Sequence, residues 1–463
     1  MRFAPYRVGA RPWRVGPQSS GVRRGTGLSP LTLVGGFILL ILAGALLLSL
    51  PRCTAAGQTT GVLDALFTST SAVCVTGLVV VDTGTHWSSL GQVIVLVLIQ
   101  IGGFGFMTSA TLLLLLFGRR IGLRERLLVG ETIGISAPGG LVRLIRNMAL
   151  LTLALEGIGA LVLFSRFVVT EGAGRGLWMA VFQSVSAFNN AGFDVFGDFV
   201  SLTELRTDAV VVLTTGLLLV AGGLSYVVLA DIYRQRRFVR LSLDTKLVLV
   251  ASRVLVALAV LVYLCAEWGN PGTLGPLALP EKLLCVVFQS VTPRTAGFTT
   301  VNIGAMHDYT LLFTMFLMFI GGAAGSTAGG IKVNTFGVLV AAVASTLKGR
   351  PQAGAFGREL NVQQVYRALA VVVLALSFVG VSVLFLSLTE DAGVLDVAFE
   401  AVSAFGTVGL STGITPGLSE LGRLIIIVTM FVGRLGPLYV ALALVQRQRA
   451  QEYRYPVESV RIG

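Results

Sequence analysis

Apolar runs long enough to cross a lipid bilayer as a helix, about 20 residues each, recur along the whole sequence. Hydrophobic residues make up 54% of the 463 residues, whereas charged residues make up only 13%. A soluble globular domain carries about 25% charged residues, so the composition excludes that class of protein. The sequence therefore predicts an all-α polytopic membrane protein.

The net charge of +12 is concentrated in clusters between the apolar runs. Arginines gather in residues 1–29, 118–147, 234–246, 348–367 and after 446. Each cluster falls at an even-numbered crossing, as positively charged cytoplasmic loops do. This pattern predicts a lipid membrane rather than nucleic acid as the partner, and it places both termini in the cytoplasm. Residues 1–29 lack a cleavage site of small residues and are interpreted as a cytoplasmic tail, not a signal peptide.

No motif in the sequence indicates an enzyme. There is no HExxH and no GxSxG in a strand–turn–helix context, and the carboxylates of Glu156 and Asp231 are isolated. The four cysteines lack metal-ligand spacing and are interpreted as small residues of a membrane protein. We therefore expect no catalytic residue and no covalent cofactor, and a membrane enzyme is disfavoured.

A short motif occurs four times, each time with a Phe, a central Ser or Thr, and a Gly followed by an apolar residue. It is too polar and too rich in glycine to be a good membrane span. Repetition of this kind indicates one structural unit used four times. The copies are "LFTSTSAVCVTGL" (66–78), "VFQSVSAFNNAGF" (181–193), "VFQSVTPRTAGF" (287–298) and "AFEAVSAFGTVGL" (398–410).

Each copy lies between two apolar runs, which predicts a unit of span, short re-entrant pore helix and span. Four units give eight transmembrane helices and four re-entrant pore loops around a central pore. Because each unit has an even number of spans, all four share one orientation, unlike the inverted repeats of secondary transporters. The predicted divisions are a cytoplasmic N-terminal tail (1–29), four pore repeats (30–120, 140–235, 240–348 and 360–446) and a cytoplasmic C-terminal tail (447–463).

Non-helical backbone at membrane depth must be buried in protein or face a water-filled cavity. If the four turns converge on an axis, their backbone carbonyls can replace the hydration shell of a cation such as potassium. Glycine suits a backbone that approaches an ion closely. The alternative is that these glycines are only turn residues under an outer loop. The predicted filter residues are Val75, Thr76, Gly77, Asn190, Ala191, Gly192, Thr295, Ala296, Gly297, Thr407, Val408 and Gly409.

Three acidic residues follow the filter turns on the predicted outer side, namely Asp82, Asp194 and Asp198. Carboxylates at a pore mouth can concentrate cations there. Solvated surface carboxylates are the alternative interpretation. We therefore treat these residues as candidates for an outer vestibule.

The motifs "SAVCVTGLVVVDTG", "SAFNNAGFD", "TPRTAGFTT" and "SAFGTVGLSTG" resemble the Trk/Ktr/HKT superfamily of potassium transporters, and most of all the bacterial Ktr membrane subunit. The resemblance covers roughly residues 30–445. It implies potassium uptake across the bacterial cytoplasmic membrane, with sodium as an activating or coupled ion. Because all four filter positions are glycine, it favours potassium. A sodium-permeant or weakly selective cation channel of the same fold is the alternative.

The resemblance also implies partners. Chains of the family pair as homodimers and are gated by a cytosolic RCK-type ring of regulatory subunits. ATP or ADP is expected on that ring and not on this chain. The cytoplasmic arginine clusters and the tail "RQRAQEYRYPVESVRIG" are plausible docking surfaces for it, although membrane topology alone also explains these charges.

The segment "GGAAGSTAGGIKV" (321–333) cannot easily form a continuous helix, because each glycine costs about 1 kcal/mol relative to alanine there. The resemblance implies an intramembrane loop that blocks the pore below the filter. Arg434 stands at the repeat level of Gly103, Gly223 and Gly322, and a charge near the bilayer centre suggests function. A structural ion pair for Arg434 and snorkelling of Lys332 to the interface are the alternatives. The predicted gate residues are Gly321, Gly322, Gly325, Ser326, Thr327, Gly329, Gly330, Lys332 and Arg434.

Overall fold

A computed structural model of the chain describes residues 30–105 and 141–436. The two predicted tails, the arginines of 119–126 and the inner ends of repeats 1 and 4 lie outside the described residues. The described helices are α1 (Pro30–Leu48), α2 (Val62–Cys74), α3 (Ser89–Phe104), α4 (Leu141–Phe188), α5 (Ala209–Gly223), α6 (Tyr226–Gln235), α7 (Leu243–Glu267), α8 (Leu279–Val291), α9 (Asp308–Phe319), α10 (Val333–Leu347), α11 (Val362–Thr389), α12 (Val394–Gly406) and α13 (Glu420–Leu435). A small antiparallel hairpin of β1 (Gly354–Ala355) and β2 (Arg358–Glu359) joins α10 to α11.

The long helices have the length and composition of membrane spans. Three of the described helices qualify on their own: Val142–Phe188, Leu243–Glu267 and Val362–Thr389. A fourth candidate is the pair Ala209–Gly223 and Tyr226–Gln235, which is bent by 93°. The remaining apolar helices are shorter. The protein is therefore a helical membrane protein, while the count of eight crossings stays a prediction.

Polar caps fix where several helices begin. The Ser88 hydroxyl accepts from the Gly91 N–H at 3.3 Å at the start of α3, and Ser419 accepts from Gly422 at 3.0 Å at the start of α13. The Asp208 carboxylate accepts from the N–H of Val210 at 3.0 Å at the start of α5. Such caps satisfy N–H groups that the first turn of a helix leaves without a partner.

Helix α4 contains both the first span and the pore helix of repeat 2. Its backbone departs from helical geometry at Gly172, where φ is +77°. Glycine adopts this left-handed conformation without the steric cost that a Cβ brings. The pore helix therefore runs from this break to Phe188, matching α2, α8 and α12 in the other repeats.

In repeats 2 and 3 the helix that follows the filter turn is interrupted near Gly223 and Gly322, respectively. α5 ends at Gly223, and the chain turns through Ser225, where φ is +63°, into α6. The second predicted span of repeat 2 is thus bent and not straight. In repeat 3 residues 320–332 form a loop between α9 and α10, as the glycine content of 321–333 predicts.

Small residues let these helices pack closely against the ends of the pore helices. A Cβ added to Gly102, Gly222 or Gly433 would overlap a pore-helix carbonyl oxygen, so no larger residue fits. The phenylalanines at the start of the four motifs are at most 3% exposed and fill the space behind them. The carbonyls belong to Val73, Phe188 and Phe405, and the phenylalanines are Phe67, Phe182, Phe288 and Phe399.

An ion pair joins repeat 4 to repeat 1 on the predicted outer side. Arg423 of α13 pairs there with Asp64 of α2 at 2.5 Å.

Candidate ion pathway

Four glycines from four distant parts of the sequence meet in one ring. Their φ angles are +90°, +70°, +80° and +91°, a conformation that L side chains rarely adopt. A Cβ added to Gly192 would lie 3.0 Å from the Cα of Gly297 and 3.4 Å from that of Gly77. The ring members are, in the order of the angles, Gly77, Gly192, Gly297 and Gly409.

Each ring glycine also faces the backbone carbonyl that precedes the next glycine around the ring. A Cβ on Gly192 would lie 3.1 Å from the Ala296 oxygen, and one on Gly297 would lie 2.5 Å from the Val408 oxygen. A Cβ on Gly77 or Gly409 would overlap the facing carbonyl oxygen. The carbonyls facing Gly77, Gly192, Gly297 and Gly409 are those of Ala191, Ala296, Val408 and Thr76, respectively. The contacts thus run from repeat 1 to repeat 2, then to repeats 3 and 4, and from repeat 4 back to repeat 1. The four turns therefore form a closed ring, which is the arrangement that a ring of carbonyls around an axis requires.

The residue two positions before each glycine also has a positive φ. These residues are not glycine, so this backbone is strained. Strain of this kind costs about 1–3 kcal/mol and persists only where the surroundings impose it, most often at functional sites. The residues are Val75 at +57°, Asn190 at +59°, Thr295 at +69° and Thr407 at +49°.

One hydroxyl of each motif fixes its filter turn. The Gly77 N–H donates to the Ser71 hydroxyl at 3.1 Å, and Gly409 donates to Ser403 at 3.2 Å. The hydroxyl of Ser186 donates to the Phe193 carbonyl at 2.6 Å, and that of Thr292 donates to Phe298 at 2.5 Å. The sequence analysis noted the central Ser or Thr of each motif without assigning it this role.

Above the ring lies a cavity of about 510 Å³, which all four glycines line. Asp82, Asp194 and Asp198 also line this cavity. The positively charged side chain of Arg206 lines it too, so the cavity is not purely acidic. Asp82 accepts from the N–H of Phe199 at 2.9 Å, which ties the loop of repeat 1 to that of repeat 2. Asp82 therefore has a structural contact in addition to any effect on cations.

Asp194 and Asp198 differ in their surroundings. Asp198 is exposed, whereas Asp194 is half-buried. Burial raises the pKa of Asp194 to about 7, against a smaller lowering effect of the N–H of Phe196, which donates to this carboxylate at 3.2 Å. The carboxylate of Asp194 therefore changes its charge near neutral pH, and that of Asp198 faces solvent.

Below the ring, the loop 320–332 lies directly against the inner side of the filter turns. A Cβ on Gly330 would lie 3.2 Å from the Cα of Gly406, and one on Gly321 would lie 3.3 Å from Thr295. A Cβ on Gly329 would overlap the side chain of Thr407. The loop thus closes on repeats 3 and 4 without space for a side chain, and only glycine fits these positions.

Cationic side chains hold the loop through its carbonyls. The guanidinium of Arg434 donates to the carbonyls of Thr327 and Gly102, and the ammonium of Lys332 donates to that of Ala328. Among the described residues no acidic side chain pairs with Arg434. The ion-pair alternative for Arg434 therefore has no partner in the part of the chain that the structure covers.

Further contacts tie the loop to its surroundings. Arg294 donates to the Gly321 carbonyl at 3.4 Å, and the Ala323 N–H donates to the Gly223 carbonyl at 3.0 Å. The hydroxyl of Thr327 donates to the side-chain oxygen of Asn190 at 3.4 Å, whereas Ser326 bonds within the loop. The sequence analysis assigned no role to Arg294. Of the two remaining predicted residues, Gly325 has a φ of +73° that suits a glycine, and a Cβ on Gly322 would lie 2.8 Å from the Gly223 carbonyl oxygen.

Glu156 belongs to a polar cluster that the sequence did not reveal. Its carboxylate is 5% exposed and accepts from the Asn189 amide at 3.0 Å and from Gln100 at 3.4 Å. The same Asn189 amide donates to Gln100 at 2.9 Å. Asn189 directly precedes the filter residue Asn190, so the cluster supports the end of the second pore helix. The expectation that Glu156 is isolated is wrong, because its partners are distant in sequence.

Comparison with known proteins identifies the family. The family model described as "TrkH: Cation transport protein" matches residues 32–452. The chain belongs to the TrkH family of cation transport proteins. Membership of this family of transporters excludes the membrane-enzyme alternative.

TrkH-family relatives match nearly the full chain. The Ktr system potassium uptake protein B of Bacillus subtilis is 43% identical over 94% of this chain and 96% of its own length. The potassium/sodium uptake protein NtpJ of Enterococcus hirae is 39% identical over 94% of this chain and 98% of its own. The crystal structure of the potassium transporter TrkH from Vibrio parahaemolyticus matches with a TM-score of 0.71 at 20% identity, covering 92% of this chain and 86% of that one. This last likeness shows a shared fold.

Proposed function

We propose that this chain is the ion-translocating subunit of a Ktr-type system and carries potassium into a bacterial cell across the cytoplasmic membrane. The carbonyl ring around Gly77, Gly192, Gly297 and Gly409 is the observation that carries this proposal. A ring of carbonyl oxygens replaces the hydration shell of a cation, and glycine lets four segments of the chain approach one axis. The relatives named for potassium uptake support the choice of ion.

In this proposal the cation follows one axial path. It enters the outer vestibule, where Asp194 and Asp198 attract it. The carbonyl oxygens of Thr76, Ala191, Ala296 and Val408 then replace the water of its hydration shell. The twelve predicted filter residues form the walls of this passage. A short filter with few stacked carbonyl rings discriminates potassium from sodium less strictly than a longer stack does, so some sodium permeation is consistent with the same site.

The loop 320–332 is proposed as the gate. It occupies the space beneath the filter, and Arg434, Lys332 and Arg294 hold its carbonyls. Three positive charges close to the axis raise the electrostatic barrier to a cation as long as the loop stays in place. Conduction requires the loop to move away, and the five gate glycines give it the conformational freedom to do so.

The system-level parts of the proposal follow the resemblance to the Trk/Ktr/HKT superfamily. Four span–pore-helix–span repeats give eight crossings, with both termini in the cytoplasm. Two chains pair as a homodimer, and a cytosolic RCK-type ring that binds ATP or ADP controls the gate. Sodium activates or accompanies uptake. The exposed arginines on the predicted cytoplasmic side, such as Arg350 and Arg358 near the β1–β2 hairpin, are available to dock the ring.

A weakly selective or sodium-permeant channel is the second candidate, favoured by the name potassium/sodium uptake protein of one relative. Measuring the uptake of both potassium and sodium distinguishes the two candidate functions. A bacterium that lacks its own potassium uptake would express the chain with its regulatory subunit, as wild type and as Gly77→Ser. Rescue of growth at low potassium, with a lower potassium-to-sodium uptake ratio in the variant, supports the potassium filter. Equal uptake of both ions by the wild type favours the second candidate. Failure to rescue despite membrane insertion counts against both.

A further inference from the structure

One position is polar and buried in all four pore helices. It follows the motif phenylalanine in each copy, and the residues there are at most 2% exposed. Each has at least one side-chain polar atom with no hydrogen-bond partner among the described residues. Such atoms are costly in an apolar interior unless a water or an ion satisfies them. The four residues are Thr68, Gln183, Gln289 and Glu400.

Glu400 differs from the other three because it is acidic. Its side chain is fully buried in α12, yet no Lys, Arg or His side chain pairs with it among the described residues. Its Oε1 accepts from the hydroxyl of Ser411 at 2.7 Å and from that of Thr415, while Oε2 has no partner. Asp396 stands one helical turn earlier and adds a second negative charge.

Neither protonation state of Glu400 satisfies its own site. If the carboxyl is protonated, its O–H can donate from Oε1 to the oxygen of Ser411 or Thr415, but Oε2 stays a buried acceptor without a donor. If it is ionised, a buried negative charge lacks a counter-charge, which is strongly unfavourable. A bound cation removes both problems, because it accepts the free lone pairs of Oε2 and neutralises the charge.

The site adjoins the outer vestibule. Ser411 and Thr415, which contact Glu400, also line the cavity above the filter, although Glu400 itself does not. The carboxylate therefore lies one layer of hydroxyl groups away from that cavity. The two hydroxyls lie 3.0 Å apart, hydrogen-bonded to each other, and with the carboxylate they form a group of hard oxygen ligands of the kind that sodium binds.

We propose that Glu400, Ser411 and Thr415 form a sodium site behind the filter turn of repeat 4, separate from the ion path. Glu400 supplies the charge and both carboxylate oxygens, and the two hydroxyls supply neutral oxygen ligands. Because Ser411 follows Gly409 by two residues, an ion bound here fixes the outer end of one filter turn.

Thermal unfolding of the purified full-length chain tests the site independently of transport. The filter is kept occupied by a fixed, saturating concentration of KCl, and NaCl replaces N-methyl-D-glucamine chloride at constant ionic strength. The wild type should gain a saturable rise in Tm with sodium. At a sodium concentration tenfold above Kd, binding increases the folded-to-unfolded ratio about elevenfold.

Glu400→Gln should abolish this sodium-dependent rise. The variant keeps an oxygen for the two hydroxyls and loses only the charge, and glutamine already stands at the matching positions 183 and 289. Ser411→Ala, which removes one ligand, should weaken sodium binding, and the exposed Asp391→Asn should leave it unchanged. A wild type without saturable sodium dependence, or Glu400→Gln and Ser411→Ala variants that both retain it fully, would overturn the proposal and indicate a water or a protonated carboxyl instead.

Discussion

Replacing Gly77 by alanine should abolish potassium uptake while leaving the protein folded. The added Cβ would overlap the Ala191 carbonyl and would lie 2.9 Å from the Cα of Gly192, whereas ordinary contacts begin at 3.4 Å. The ring must therefore open by more than about 0.5 Å at this point, because the overlap with the carbonyl is larger still, and this is enough to disturb a close coordination shell. The left-handed backbone adds about 1–2 kcal/mol of strain for any L residue. We expect at least a tenfold loss of uptake, on the scale at which misplacements of about 1 Å act in other sites.

Gly57 offers a matched control for this substitution. Its φ of +68° brings a comparable backbone strain, but a Cβ added there meets nothing within 4 Å. Gly57→Ala should thus carry only the backbone-strain part of the cost, lower the free energy of unfolding less than Gly77→Ala does, and leave potassium uptake near that of the wild type. Potassium uptake would be measured for both variants in a strain that lacks its own potassium transport. The Tm of both variants would be measured on the purified proteins. Equal uptake by the two variants would refute the argument that ring geometry, and not backbone strain, makes glycine necessary.

Three further predictions concern the gate, the vestibule and the filter supports. Arg434→Gln removes a positive charge and weakens two contacts with backbone carbonyls, so potassium flux in the absence of the regulatory subunit should rise several-fold; unchanged flux would count against the loop as a gate. Because the pKa of Asp194 is raised to about 7, its charge is present above that pH and lost below it, and uptake at low salt should fall as the outside pH drops from about 8 to about 6. Asp194→Asn should make uptake independent of pH over this range, and a persisting pH dependence would argue for another group. Ser71→Ala removes the acceptor of the Gly77 N–H and should lower the potassium-to-sodium uptake ratio, whereas Ser165→Ala, on an exposed part of α4, should not.

The local sequence contained most of the information about the four glycine turns that are the predicted filter. Each glycine sits at the end of a short helix, and its need for a positive φ is a property of the residue itself. The recurrence of the motif then indicated that four such turns face one axis. Arg434 could be recognised for a related reason, since a charge among small residues in an apolar run has few structural uses.

Contacts between repeats could not be predicted in the same way. Glu156, Gln100 and Asn189 meet because repeat 1 packs against repeat 2, and nothing in their local sequences indicates this neighbourhood. Arg294 is similar, because its role depends on a loop that arrives from a later part of the repeat. The bend at Ser225 was also missed, since a serine with a φ of +63° is set by tertiary packing and not by its own preference.

Anomalous diffraction from crystals of the protein grown in rubidium chloride tests the central claim most directly. Rubidium resembles potassium and would mark the ion by its own scattering. The account predicts a peak on the axis of the ring, surrounded by the carbonyl oxygens of Thr76, Ala191, Ala296 and Val408, and no such peak in Gly77→Ala. An empty ring in the wild type, with rubidium bound elsewhere along the pore, would contradict it.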